Sequence, residues 1–166
     1  DGKDLKESHG KESKQSDDVE SVGDLLAKCR EQSQPAAIAA MGLTGLRRGE
    51  GMLEPLGELL GSGDGRQRAG ALLALAMALG GLPADGNDLA WALIREELEA
   101  QSAAMSTNTE DAGIGLLLMA LGVAYAGTGR LDVCRESLLP QLGGETTSVR
   151  AMAALSMALI APGEAE

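Results

Sequence analysis

The sequence predicts an all-α fold: an α-solenoid arc of about four helix-turn-helix repeats. Three observations support this prediction. Residues 115–129, GLLLMALGVAYAGTG, are apolar on nearly every face of a helix, so other parts of the protein must enclose them. Three more stretches repeat their pattern of small and large residues. The core must also be aliphatic, because the chain has one Trp, one Tyr and no Phe, and this composition suits stacked helices better than a sheet.

The repeats are visible when four stretches are written beneath one another: 37–49, 69–81, 115–127 and 151–163. Their first position is always Ala or Gly, their sixth and eighth positions hold Gly, Ala, Ser or Thr, and their last position is always Gly. Periods of roughly 30 to 50 residues are typical of helical repeats that stack into a solenoid or a ring. Four unrelated Leu/Ala-rich helices would not be expected to keep these positions in phase.

The chain divides into a tail and a repeat domain. Residues 1–18 are rich in Lys, Glu, Ser and Asp, so we expect a disordered tail or linker, which also contains the only histidine, His9. Residues 19–166 are expected to form the repeat domain. Its repeat units are predicted at about 36–65, 66–105, 109–144 and 147–163. Before them, the spacing of Val19, Val22, Leu25, Leu26 and Cys29 predicts a short amphipathic helix.

In the first unit, Pro35 is expected to open the inner helix, and the basic and glycine residues at 47–49 are expected to close it. The outer helix that follows should bury one apolar face: Met52, Leu53, Leu56, Leu59 and Leu60. The sequence GSGDG at 61–65 is predicted to be a turn. A phosphate-binding loop is disfavoured there, because no strand precedes it and no GKS or GKT is present.

In the second unit, the inner helix is expected to begin near Arg68 and to end in a loop at 80–87. Asn87 or Asp88 is the expected N-cap of the outer helix; with Asp85, these residues otherwise resemble only a fragment of a calcium loop. That helix should bury one apolar face: Leu89, Leu93, Ile94 and Leu98. Its acidic residues are expected to be solvated rather than to form a catalytic pair: Glu96, Glu97 and Glu99. A polar loop is predicted at 101–110.

In the third unit, Asp111 is expected to start the inner helix, and Gly127 and Gly129 are expected to end it. The outer helix should begin with Asp132 as its N-cap, end near Pro140, and pack through five apolar residues: Leu131, Val133, Leu138, Leu139 and Leu142. The fourth inner helix is expected to stop at 162–163 with no outer helix after it. An apolar face would then be uncovered, which predicts either further chain or an intermolecular contact.

Charge and motifs exclude several function classes. The net charge is −11, which disfavours nucleic-acid binding and favours a basic partner. The uncharged run 114–128 is shorter than the ~20 residues of a membrane span. Cys29 and Cys134 have neither disulfide nor metal-ligand spacing and are expected to be packing thiols. We therefore expect a non-catalytic protein with no cofactor, no metal, no nucleic acid and no membrane contact.

Three segments resemble the proteasome/cyclosome (PC) repeat, in which an inner helix ends in a Gly-rich turn: AAMGLTGLRRGEGMLEPLGELL, RAGALLALAMALGG and GIGLLLMALGVAYAGTGRLDV. The resemblance covers about 36–162. It implies a toroid of inner and outer helices, no enzymatic activity, and a scaffold role beside other subunits of the proteasome regulatory particle, in cytoplasm and nucleus. The anaphase-promoting-complex scaffold shares the repeat. A TPR array is disfavoured, because its aromatic signature is missing.

The resemblance also implies that outer helices dock ubiquitin and the ubiquitin-like domains of shuttle factors. Ubiquitin offers an apolar patch with a basic rim, so a receptor needs exposed aliphatic side chains beside carboxylates. The candidates are Leu53, Glu54, Leu56, Glu58, Asp132, Glu136 and Glu145. The chain departs from the expected pattern at Gly57, where an acid is expected, and at Arg135 and Arg150, which add positive charge. The alternatives are that these acids only solvate the surface and that the segment is purely architectural, without ubiquitin binding.

Overall fold

The computed structural model describes residues 26–45, 53–62, 64–80, 84–103, 111–144 and 146–161. Nearly all of these residues are helical and none of them is in a strand, so the all-α prediction is confirmed. Seven helices follow a short 3-10 turn at Glu31–Ser33: α1 Gln34–Gly45, α2 Leu53–Ser62, α3 Gly65–Leu79, α4 Ala84–Ala103, α5 Asp111–Ala124, α6 at 131–143 and α7 Thr147–Ile160. The expected tail 1–18, the helix end at 47–49 and the stop at 162–163 lie outside the described residues.

The helices form an inner row and an outer set. The inner helices pack side by side in chain order, α1 on α3, α3 on α5 and α5 on α7. Of the outer helices, α2 packs on α3, α4 packs on both α3 and α5, and α6 packs on α7. The buried core runs along the inner row and is aliphatic, as predicted, with Tyr125 as its one fully buried aromatic residue.

Small residues let the first two inner helices approach closely. A Cβ built on Gly42 of α1 would lie 2.6 Å from the Cα of Ala74 in α3, and one built on Gly70 of α3 would lie 2.9 Å from the Cα of Pro35 in α1. From the first contact to the second, the residue number increases in both helices, so α1 and α3 run parallel. The prediction that glycine and alanine permit close packing of the inner helices is confirmed here.

The α5–α7 pair repeats this geometry. Gly122 lies against Ser156, and a Cβ on Gly115 would lie 3.7 Å from the Cγ of Met152. In both helix pairs, the two contact positions lie seven residues apart in the first helix and four residues apart in the second. Pro35 is therefore the structural equivalent of Gly115, and the sequence alignment that placed residue 37 there is wrong by two residues. Gly70 and Ala74 of α3 are likewise equivalent to Met152 and Ser156 of α7, so the stretches 69–81 and 151–163 keep the predicted register.

The glycine turn after α5 connects two units through the backbone. Gly127 and Gly129 adopt φ of 71° and 68°, a left-handed conformation that favours glycine. Their N–H groups donate to the carbonyls of Leu159 (2.8 Å) and Ile160 (2.9 Å) at the end of α7. The predicted glycine-rich end of α5 is thus confirmed. It also supplies donors to last-turn carbonyls of α7, which have no partner within their own helix.

Several predicted boundaries are wrong. Helix α2 continues to Ser62 and α3 already begins at Gly65, so the turn is shorter than the predicted 61–65. Asp64 is the N-cap of α3 and accepts from the Gln67 backbone N–H at 2.8 Å. Helix α4 begins at Ala84, so neither residue 87 nor residue 88 is its N-cap. It also extends to Ala103, which makes the first part of the predicted polar loop helical. Asp111 starts α5 as predicted.

Candidate docking surface

Helix α6 departs from α-helical geometry. It is α-helical at Leu131–Val133, π-helical at Cys134–Leu138 and 3-10 at Leu139–Gly143. The Leu139 N–H donates to the carbonyl of Cys134, five residues back. Pro140 has no N–H and cannot continue an α-helical ladder, which favours the change of winding at this point. The buried residues of this helix recur every four positions: Val133, Cys134, Ser137 and Leu138.

Two leucines of α6 point outward. Leu131 is 55% exposed and Leu139 is 51% exposed. Leu142 is exposed too, so the prediction that these three leucines pack inward is wrong, whereas Val133 and Leu138 are buried as predicted. The exposed face of α6 places two carboxylates beside the leucines. We call it the α6 surface: Leu131, Asp132, Arg135, Glu136 and Leu139.

Asp132 is held by an arginine that precedes it. Arg130, not Asp132, is the N-cap residue of α6, so the predicted capping role of Asp132 is wrong. The Arg130 guanidinium donates through Nη2 to Oδ2 at 2.7 Å and through Nε to Oδ1 at 2.9 Å. These hydrogen bonds lower the pKa of Asp132 to about 2. The guanidinium also lies over the rings of Trp91 and Tyr125, 5.5 Å from each centroid, which fixes its position.

Glu136 faces helix α4. Its Oε2 lies 3.5 Å from Nη1 of Arg95, which also donates through Nε to Oε1 of Glu99 at 2.9 Å. Nearby, Trp91 Nε1 donates to Ser137 Oγ at 3.1 Å. These contacts set α4 beside α6. A shallow depression on α4 continues the surface and is lined by Trp91, Ala92, Arg95, Glu96 and Glu99.

The two α2 candidates whose side chains the structure describes are Leu56 and Glu58, and neither is part of the α6 surface. Leu56 is 1% exposed and belongs to the core, so the expectation that it is an exposed docking residue is wrong. Glu58 is exposed. The side chains of Leu53 and Glu54, and the whole of Glu145, lie outside the described residues. Of the predicted site residues, the structure therefore brings together Asp132 and Glu136.

Glu97 has a structural role that the sequence did not predict. It accepts from Arg68 through two hydrogen bonds, Nε–Oε2 at 2.8 Å and Nη2–Oε1 at 3.1 Å. Gln101 Nε2 donates to Glu97 Oε1 at 2.8 Å and to the Gly65 carbonyl at 2.7 Å. The expectation that Glu97 is solvated is wrong, although Glu96 and Glu99 are exposed. The network links α4 to the first two turns of α3.

Three further features of the described part of the chain concern metal binding, thiol chemistry and membrane insertion. No group of three His, Cys, Asp or Glu side chains within it is arranged to hold a metal ion. Cys134 is buried and Cys29 is half-buried, and burial raises the pKa of the Cys134 thiol. None of the described helices has both the length and the apolar character needed to cross a membrane.

Neither a family model nor a curated protein nor a solved structure matches the chain. Its function is therefore inferred from the packing of the inner row and the chemistry of the α6 surface.

Proposed function

We propose that the chain is a non-catalytic scaffold segment of the proteasome regulatory particle base that docks ubiquitin and the ubiquitin-like domains of shuttle factors. The order of its motifs most resembles that of the regulatory particle non-ATPase subunit one, which acts beside other regulatory particle subunits in cytoplasm and nucleus. The observation that carries the proposal is the α6 surface, where two exposed leucines adjoin two carboxylates on one helix.

The packing of the inner row supports the scaffold part of the proposal. Parallel inner helices contact each other through glycine, and a left-handed glycine turn donates hydrogen bonds to the next inner helix. Successive repeats can form the same set of contacts. Stability in such arrays comes from contacts between neighbouring repeats rather than from one central core. A protein built this way offers a long surface to partners.

The chemistry of the α6 surface supports the docking part. An apolar patch with a basic rim is complemented by Leu131 and Leu139, with Asp132 and Glu136 between them. Asp132 is ionised at neutral pH, and Arg130 lowers its pKa further, to about 2. The net charge of −11 also attracts a basic partner over a longer range. Both carboxylates already contact arginines, and the 3.5 Å contact between Glu136 and Arg95 is the longer one, so a partner's basic group displaces it more easily.

A titration of isotope-labelled ubiquitin with this chain, followed by NMR, tests the proposal. Chemical-shift changes are expected on the apolar patch of ubiquitin, and the double variant Leu131→Ala/Leu139→Ala should abolish them. Leu89→Ala is the matched control, because Leu89 is an exposed leucine outside the α6 surface, and its predicted place on the buried face of α4 is wrong. Absence of shifts at millimolar protein would exclude ubiquitin docking.

Charge variants test the same surface independently. Glu136→Lys should weaken binding several-fold, and added salt should weaken wild-type binding because the steering charges are exposed. Arg95→Gln should strengthen binding, since it releases Glu136 and Glu99 from their shared partner. Equal affinities for these two variants would contradict a role for the carboxylates.

A purely architectural segment of a proteasome or anaphase-promoting-complex scaffold is the second candidate. It is favoured by the arginine partners of Asp132 and Glu136, which already neutralise part of the acidic surface. This function predicts no shifts on ubiquitin and contacts only with neighbouring subunits.

A further inference from the structure

Trp91 of α4 contacts α6 at two points. Its Nε1 donates to Ser137 Oγ at 3.1 Å, and the Cζ atom of Arg130 lies 5.5 Å from the centroid of its ring. Ser137 is buried in the π-helical turn, and Arg130 is the N-cap residue of α6. One side chain of α4 therefore holds α6 at its start and again seven residues later.

These two points lie next to the exposed leucines of the α6 surface. Leu131 directly follows Arg130, and Leu139 comes two residues after Ser137. The backbone N–H of Leu139 also closes the π-helical turn that contains Ser137. The distance between the two leucines therefore depends on the two points that Trp91 holds.

The ion pair between α4 and α6 is a weaker constraint than Trp91. Arg95 Nη1 lies 3.5 Å from Glu136 Oε2, and both side chains are about half exposed. Exposed ion pairs hold their side chains only weakly, because water competes for both charges. Trp91, by contrast, is half-buried and packs against the hydrophobic core, and its hydrogen bond ends on a buried hydroxyl. Trp91 is thus the stronger of these two contacts between the helices.

We infer that Trp91 is a positioning residue of the α6 surface: it fixes the spacing of Leu131 and Leu139, which contact the partner's apolar patch. It acts through its contacts with Arg130 and Ser137. The inference rests on the proposed function, because it assigns a task within the same surface. A surface that already has its bound geometry binds more tightly, since less of it must be ordered when the partner arrives.

Three variants separate the two contacts of Trp91. Trp91→Phe keeps an aromatic ring for Arg130 but loses the donor to Ser137. Ser137→Ala loses the same hydrogen bond and keeps the tryptophan, whereas Trp91→Leu loses both contacts. Leu93→Ala is the matched control, because Leu93 is also a half-buried residue of α4 that packs against the core. Circular dichroism verifies that each variant is folded.

Two NMR measurements on the protein without a partner report the two contacts. Hydrogen exchange of the Leu139 amide reports the π-helical turn, and titration of the Asp132 carboxyl reports the position of the arginine beside it. Trp91→Leu should speed the exchange several-fold and move the titration midpoint upward from about 2 toward 3.8. The two variants that lose only the hydrogen bond should change the exchange alone. The control should change neither relative to its overall stability.

Titration of isotope-labelled ubiquitin with the same variants measures docking. Trp91→Leu should bind about two- to ten-fold more weakly than wild type, and Leu93→Ala should bind like wild type. Release of Asp132 in Trp91→Leu acts in the opposite direction, but exposed charges contribute less than two leucines that become buried.

Two outcomes would overturn the positioning role of Trp91. One is a Trp91→Leu variant with the exchange and titration of wild type, whether or not ubiquitin binds. The other is a Trp91→Leu variant with an altered α6 and the ubiquitin affinity of wild type. Absence of ubiquitin binding to the wild-type chain is a different result: it overturns the proposed function and with it the docking task of Trp91, whereas exchange and titration still decide whether Trp91 positions α6.

Discussion

Gly122 of α5 and Ser156 of α7 lie so close that a Cβ on Gly122 would come within 2.8 Å of the Ser156 Cα and 2.9 Å of its Oγ. The obstacle is partly backbone, so it cannot rotate away. The same relationship joins Gly42 to Ala74 between α1 and α3. This pair of contacts sets the distance between neighbouring inner helices and explains why glycine occurs inside apolar helices, where it is otherwise unfavourable.

Replacing Gly122 with alanine should therefore destabilise the protein. Ala is favoured over Gly in a helix by about 1 kcal/mol, but overpacking costs about 1–3 kcal/mol, and the rigid neighbour makes overpacking the larger effect here. Gly57→Ala is the control, because Gly57 is an exposed helical glycine with nothing within 4 Å of its added Cβ. Urea unfolding should show a lower midpoint for Gly122→Ala and an equal or higher one for Gly57→Ala. Similar midpoints would contradict the close approach.

Two buried serines should respond oppositely to replacement by alanine. The Ser156 hydroxyl is buried and has no hydrogen-bond partner among the described residues, whereas Ser137 Oγ accepts from Trp91 Nε1. An unpartnered buried hydroxyl is unfavourable by about 1–3 kcal/mol, and a satisfied one contributes about 1 kcal/mol. Ser156→Ala should thus raise the free energy of unfolding and Ser137→Ala should lower it. A loss of stability in both variants would indicate a partner for Ser156.

The Glu97 network should be important for stability. Glu97→Ala removes the acceptor of Arg68 and Gln101, and hydrogen bonds to charged groups contribute about 1.5–3 kcal/mol each before solvent screening. Because Arg68 is partly exposed, we expect a total loss of about 1–3 kcal/mol. Glu96→Ala, a neighbouring exposed carboxylate on the same helix, should change stability by less than about 0.5 kcal/mol. Chemical denaturation of the two variants measures the difference.

Local patterns were sufficient to predict the helices and their packing. The apolar run of α5, the phase of its small residues and the glycines after it lie within a short stretch of sequence, and each was confirmed. These features act through backbone geometry and helix periodicity, which a sequence states directly. The predicted register of α1 was wrong because a sequence shows which residues are small but not which of them contacts Gly70.

Features that depend on distant partners could not be predicted in this way. Glu97 resembles its solvated neighbours in sequence, and only the packing of α4 on α3 brings Arg68 to it. The exposure of Leu139 depends on the π-helical turn before it, which breaks the 3.6-residue period used to assign an inward face. Pro140 was a visible signal, since a proline inside a helical pattern changes the hydrogen bonding of the preceding turn.

The ion pair between Asp132 and Arg130 predicts a specific dependence on pH. The pKa of Asp132 falls from its ordinary value of 3.8 to about 2, so the pair stabilises the folded protein above pH 4 and loses this effect as pH falls toward 2. The stability difference between wild type and Asp132→Asn should be constant near neutral pH and vanish between about pH 4 and 2. It should be below about 1 kcal/mol, because the pair is exposed.

Direct titration of the Asp132 carboxyl provides the sharper measurement. Carbon-detected NMR over this pH range should give a midpoint near 2 for wild type, because the guanidinium of Arg130, fixed over Trp91 and Tyr125, favours the ionised form. High salt screens exposed charges and should move the midpoint upward. A midpoint near 4 at low salt would mean that Arg130 does not hold the carboxylate, and Asp132 would then be free to meet a basic partner without displacing an arginine.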